Sequence, residues 1–230
     1  MGSVQPRPRS RLATERVEAT QRAIVQAAAE LFAERGYTGT TIEEIAGRAG
    51  VAVQTIYNAI GSKRAVLSRA LDFSASGPNA PTPVREFLGA RIREEPDPEG
   101  IVRILADWFL EANERIAPIF GVIREAAAVD PEVAGLQVER ALQRLNGYSE
   151  AAKELAGRRA LRPDLDPEDA GALIWTLGNP DIYRFLVTDR AWSPERYRTW
   201  IERNLRAALL PDDAPGRGTE PTGRVQQPAP

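Results

Sequence analysis

TIEEIAGRAGVAVQTIYNAIGSK, residues 41–63, reads as two short helices joined by a tight turn and followed by the start of a third. Ile42, Ile45, Ala46 and Ala49 recur at spacings of three and four, the period of a helix with one apolar face. Gly50 ends that face, because a C-cap needs left-handed backbone that glycine adopts without a Cβ penalty. Val51 follows as an apolar plug, and Val53, Ile56 and Ile60 form a second periodic run. Ala46 is small where two steeply crossing helices must come close. The pattern is a helix-turn-helix, whose second helix lies in the major groove of DNA.

The flanks sharpen this reading. Thr40 and Thr41 each precede a glutamate by three residues, so either one could form a capping box. Gly61-Ser62-Lys63 reads as a helix stop, an N-cap and a cation at the next helix start. A lysine there is unfavourable against the helix dipole. A phosphate there would be favourable, held by the amides and the ammonium. Tyr57 can reach a backbone phosphate with its hydroxyl. Val53, Gln54, Thr55 and Asn58 occupy the exposed face of the second helix. Gln and Asn pair with adenine edges, and Val and the Thr methyl touch thymine methyls. The plainer alternatives are a core aromatic at Tyr57 and a solvated charge at Lys63.

The run GYTGTTIEEIAGRAGVAVQTIYNAIGSKRAVL, residues 36–67, resembles the N-terminal DNA-binding domain of the TetR family of transcriptional regulators. The resemblance spans roughly residues 20–71. It rests on Gly36-Tyr37, Thr40-Thr41, Ile45-Ala46, Ala49-Gly50-Val51, Thr55-Ile56-Tyr57 and Ser62-Lys63. It implies an all-α, dimeric repressor that leaves a palindromic double-stranded DNA operator when a small-molecule effector, here unknown, binds the C-terminal domain. It puts Thr41, Tyr57 and Lys63 at phosphate-contacting positions and Val53, Gln54, Thr55 and Asn58 at base-facing ones. Two departures stand out. Ala52 replaces the usual Ser, so the second helix lacks a side-chain cap worth about 0.5–2 kcal/mol. Ala59 and Ile60 replace an aromatic or His followed by Phe, which puts the contacts normally made at Ala59 in question.

Composition narrows the alternatives. The 230 residues suffice for one large or two small domains, and 43% hydrophobic with 27% charged content suits a soluble globular chain. No run approaches the roughly 20 apolar residues of a membrane span. The start MGSVQPRPRSRLATER has no apolar core and is not a secretory signal. With no Cys there is no disulfide, and a cytoplasmic location is expected. With no His either, the commonest general base, thiolate chemistry and the usual zinc sites are all missing. No catalytic residue, metal site or cofactor is therefore expected. Residues 1–71 carry ten Lys/Arg and six Asp/Glu, a balance of +4; the remainder carries twenty and twenty-six, a balance of −6. A polyanion belongs at the first segment.

Four segments follow. Residues 1–15 form a disordered basic arm around Arg7, Arg9 and Arg11. Residues 16–76 form the helix-turn-helix domain with its connecting helix. Residues 77–210 form a helical ligand-binding and dimerisation domain, and 211–230 a disordered Pro/Gly-rich tail. In the third segment Asp97-Pro98-Glu99, Asp130-Pro131-Glu132, Asp166-Pro167-Glu168 and Ser193-Pro194-Glu195 each read as N-cap, N1 proline and early acid. They predict helices near 82–94, 98–115, 117–128, 131–157, 167–190 with a break at Gly178-Asn179-Pro180, and 194–210.

A ligand pocket is predicted around Phe87, Ile104, Asp107, Trp108, Glu111, Phe120, Arg124, Tyr148 and Trp175, although aromatics at helical spacing more often build a core. The last two helices are predicted to form a twofold dimer interface through Leu173, Leu177, Tyr183, Phe185, Trp200, Ile201 and Leu205. The competing function is a helical small-molecule-binding or enzymatic protein whose DNA-binding head has degenerated.

Overall fold

A computed structural model describes residues 11–76 and 84–211, with the side chains of 11, 12 and 84–87 outside the description. All regular structure among these residues is helical. The elements are α1 (Arg11–Arg35), α2 (Ile42–Ala49), α3 (Val53–Ala59), α4 (Lys63–Ser76), α5 (Val84–Glu94), α6 (Pro98–Ala127), α7 (Pro131–Gly157), α8 (Pro167–Leu177), α9 (Pro180–Tyr183) and α10 (Pro194–Leu209). A π-helical turn, Arg184–Asp189, continues α9.

The acid–proline marks start the helices they predict. Asp97, Asp130 and Asp166 accept from the amides of Glu99, Glu132 and Glu168 at 3.2, 2.9 and 2.8 Å. Ser193 accepts from Arg196 at 3.2 Å. Each side chain satisfies an amide that the first helical turn leaves free.

Two boundaries differ from the sequence reading. Helix α1 begins at Arg11, so residues 11–15 are helical rather than part of a disordered arm. The rest of the predicted arm, and the predicted tail from 212 onward, lie outside the described residues. The helices predicted at 98–115 and 117–128 are one helix, α6, which runs straight through Pro118. An interior proline removes one backbone hydrogen bond and costs roughly 3 kcal/mol. Burial of Ile116, Ile119, Phe120 and Ile123 around it offsets that cost.

Helix α6 serves two cores. Its first half packs with α7, α8 and α10 through Ile101, Leu105, Phe109, Leu155, Ile174, Tyr197, Ile201 and Leu205. The buried Asn113 amide donates to the Tyr197 hydroxyl at 3.2 Å. Phe109 stands edge-on to Tyr148, with ring centroids 5.2 Å apart. Gly178 lies against the Phe109 ring so closely that a Cβ there would sit 2.5 Å from a ring carbon. The second half of α6 joins a core made by α1–α4. Ile116, Ile119 and Ile123 pack there with Ile24, Phe32, Ile45, Ile56 and Leu67. The boundary between the two cores therefore falls within α6 rather than near residue 77.

Polar struts reinforce this union. The Arg115 guanidinium donates to the Ser74 and Ala75 carbonyls at the end of α4, both at 3.2 Å. Arg64 donates to the Glu132 carbonyl at 3.0 Å. Arg140 pairs with Asp72 of α4 at 2.8 Å.

Candidate nucleic-acid interface and inner cavity

Thr41, not Thr40, closes the capping box of α2. Its Oγ1 accepts from the Glu44 amide at 3.2 Å, and its own amide donates to Glu44 Oε2 at 2.8 Å. Thr40 is fully buried instead, its hydroxyl set between the carbonyls of Gly36 at 2.9 Å and Leu31 at 3.2 Å. The Thr41 amide, helped by the Arg35 guanidinium, holds the Glu44 carboxyl below its ordinary range. Gly50 has φ 69°, the left-handed C-cap that the turn demands. Helix α3 follows it with no side-chain cap at Ala52.

Helix α3 is anchored by Ile56, its fully buried residue. A second anchor was not legible in the sequence: the Gln21 amide of α1 donates to the Ala59 carbonyl at the other end of α3, at 2.9 Å. Gln54, Tyr57 and Asn58 are exposed, and Val53 and Thr55 are partly so. Tyr57, at 49% exposed, is not a core aromatic. Gln54 Nε2 donates to Asn58 Oδ1 at 3.0 Å, so the two amides form one polar unit on the outer face. Lys63 opens α4 with its ammonium 4.2 Å from the centroid of the Tyr37 ring. Partial burial lowers its pKa from the ordinary lysine value, while Asp130 and Glu44 act the other way. Next to it, Ser62 Oγ accepts from the Ala65 amide at 3.3 Å.

The second feature is a half-open cavity of about 860 Å³ between α4, α5, α6 and α7. Of the residues named for a pocket, Trp108, Phe120 and Tyr148 line it. Ile104, Asp107, Glu111, Arg124 and Trp175 do not, and the reason is helix phase. The cavity stripe of α6 runs 108-112-116-120, one residue per turn. Asp107 lies one residue round from it and pairs with Arg198 of α10. Glu111 faces solvent, and Ile104 is packed into the core. Arg124 continues the stripe past the cavity and pairs with Asp181. Trp175 donates its indole N–H to the Ala141 carbonyl at 3.2 Å. The Phe87 side chain lies outside the description.

The sequence reading missed Arg140 and Arg144, which join Tyr148 on the cavity face of α7 at intervals of four residues. That interval was available in the sequence as a signal. Arg144 Nε and Nη1 and Arg140 Nε are buried without a hydrogen-bond partner. The Arg144 guanidinium lies 4.9 Å from the Phe120 ring and 6.0 Å from that of Trp175. Burial pulls its pKa below the usual arginine value and pushes the Tyr148 hydroxyl above its own.

At the predicted dimer surface, Tyr183, Ile201 and Leu205 are buried in the chain's own core and leave nothing for a second copy. The same apolar period serves the intrachain contact first. Leu173, Leu177 and Trp200 are partly buried, and Phe185 is 48% exposed. Trp192 adds to this surface, edge-on to Trp200 at 6.2 Å, with the Arg196 guanidinium 4.0 Å over its ring. Among the described residues no helix is long and apolar enough to cross a membrane.

The architecture is thus a helix-turn-helix head whose core is completed by a larger helical bundle with a half-open cavity. Residues 24–70 match the family model for bacterial regulatory proteins of the tetR family. Solved structures share the fold over most of the chain. NalD, the secondary repressor of the MexAB-OprM multidrug efflux pump in Pseudomonas aeruginosa, is 24% identical, with TM-score 0.64 over 86% of this chain and 99% of NalD. The transcriptional regulator FadR from Bacillus subtilis, in complex with stearoyl-CoA, is 19% identical, with TM-score 0.65 over 80% of this chain and 96% of that one. GusR of Salmonella enterica is 18% identical, with TM-score 0.62 over 83% and 95%. A comparison with curated protein sequences finds no match. Residues 24–70 thus carry the tetR-family pattern, and the chain as a whole shares the fold of these regulators.

Proposed function

We propose that the protein is a cytoplasmic one-component transcriptional repressor. Two copies bind a palindromic operator, and a small molecule entering the α4–α7 cavity releases them. The observation that carries this reading is the outer face of α3. It presents two linked amides, Gln54 and Asn58, beside an exposed tyrosine, on a helix pinned at Ile56 and Ala59. Thr41, Tyr57 and Lys63 are the proposed phosphate contacts, and Val53, Gln54, Thr55 and Asn58 the proposed base contacts. A twofold dimer through Leu173, Leu177, Phe185 and Trp200 would set the heads on successive major grooves, about 34–36 Å apart or a multiple of that.

The fold supplies a route for the signal. Helix α4 begins with Lys63 at the proposed DNA surface and lines the cavity with Leu71, Asp72 and Ala75. A ligand that favours one placement of α4 shifts the population of head spacings by as much as its affinities for the two placements differ. The degenerate-head alternative rests on the uncapped start at Ala52 and the missing aromatic at Ala59. The Gln21 hydrogen bond at the opposite end of α3 speaks against it.

Selection from random duplexes should enrich a palindrome; failure to enrich any would remove the reading. Deletion of the gene should raise expression of its target. Once an operator is in hand, Lys63→Ala should weaken binding to all sequences alike and flatten the log–log salt dependence by roughly one unit. Tyr57→Phe should weaken binding uniformly with the slope unchanged. An unaltered slope for Lys63→Ala would take Lys63 out of the phosphate contacts.

A further inference from the structure

Among the described residues, the cavity wall contains a cation, Arg144, that no carboxylate pairs with directly. Two nitrogens of Arg144, Nε and Nη1, are buried with no acceptor. An unmet donor on a charged group is among the costlier features a folded protein can hold. The carboxylates of the same wall are committed elsewhere: Asp72 to Arg140 at 2.8 Å, Glu150 to Lys153 at 2.9 Å and Glu154 to Arg158 at 2.9 Å. Asp181, whose charge reaches Arg144, is shared by Arg124 and Arg184. What touches the guanidinium is aromatic: Phe120 at 4.9 Å and Trp175 at 6.0 Å. Ring faces favour the cation and help to hold its plane, but they accept no conventional hydrogen bond from its edge. Burial lowers the pKa of Arg144, the direction expected of a desolvated cation lacking a partner. Trp108, Leu88, Ile92 and Ile116 give the cavity apolar lining.

We infer that the effector is an organic monoanion whose carboxylate or sulfonate meets Arg144, while an apolar body fills the space between Trp108, Leu88 and Ile116. A monoanion fits better than a phosphate dianion, because the charge of the neighbouring Arg140 is already matched by Asp72, leaving only its Nε without an acceptor. The inference rests on the effector-cavity reading above and adds the chemistry of the ligand. It also assigns Arg144 as the residue that discriminates acids from their neutral analogues.

The test uses the full-length protein and two matched probe pairs, each sharing one apolar body with and without the acid. Anilinonaphthalene sulfonate against phenylnaphthylamine is read by direct fluorescence. Dodecanoate against dodecanol is read by displacement of the sulfonate probe. The native protein should prefer the acid of each pair by about tenfold or more, the scale of one desolvated charge-assisted hydrogen bond. Arg144→Met keeps the length and apolar bulk of the side chain. It should abolish the preference while leaving affinity for the neutral probe within about threefold. Arg144→Lys keeps the charge and should retain part of the preference. Equal affinity for acid and neutral analogue in the native protein, which needs no variant to measure, overturns the inference and leaves the cavity reading standing. So does a preference that survives in Arg144→Met. Binding of neither member of either pair overturns the cavity reading as well.

Discussion

Replacing Phe109 with alanine is expected to lower the free energy of unfolding by about 3–5 kcal/mol. The ring is fully buried at the centre of the α6–α7–α8–α10 core, edge-on to Tyr148. Gly178 also lies close against the ring. The same contact makes Gly178→Ala costly. Its methyl would lie 2.5 Å from the ring, and overpacking of that kind costs about 1–3 kcal/mol. In the Phe109→Ala background the ring is gone and the added methyl partly fills the space. The double variant should then cost less than the sum of the singles by about 1–3 kcal/mol, measured by urea unfolding. Strict additivity would mean that positions 109 and 178 do not share this volume.

The second large effect concerns sequence readout. Gln54→Ala and Asn58→Ala should each cost about 1–3 kcal/mol, concentrated at one operator position, with salt dependence unchanged because no charge is lost. The two should not be independent. Gln54 Nε2 donates to Asn58 Oδ1 at 3.0 Å, which orients both amides before DNA arrives. Removing either one frees the other to turn, so the double variant should lose less than the two singles together. Competition among operators altered one base pair at a time reads this directly. An unchanged base preference in both variants would mean that neither amide reads sequence.

Features set by residues within a turn of one another could be read from the chain. The acid–proline helix starts depend on side chains reaching amides two or three positions away, and the Gly50 cap on a backbone amide reaching carbonyls three and four residues back. The sequence left open which of Thr40 and Thr41 caps α2. Both have the right glutamate spacing, and only packing against the Leu31 carbonyl buries the first. The helix break expected between residues 115 and 117, beside Pro118, is absent for a related reason. Locally the proline argues for a break, while burial on both sides, invisible in the sequence, keeps α6 whole. Apolar period announces burial but does not name the partner. Ile201 and Leu205 therefore looked the same as Trp200 until the core claimed them. The cavity was the least legible, since it forms where four helices fail to meet. Arg140 and Arg144 matter there through their neighbours on α4 and α6 rather than through anything adjacent in the chain.

Because α6 lends Ile116, Ile119 and Ile123 to the core of α1–α4, the amino-terminal region is not a freestanding unit. Excised at residue 76, it would expose the side chains that those isoleucines cover. Calorimetry of the whole chain should record one endotherm, with van't Hoff and calorimetric enthalpies in agreement, and no early melting of the front helices. Heat would then abolish both halves together.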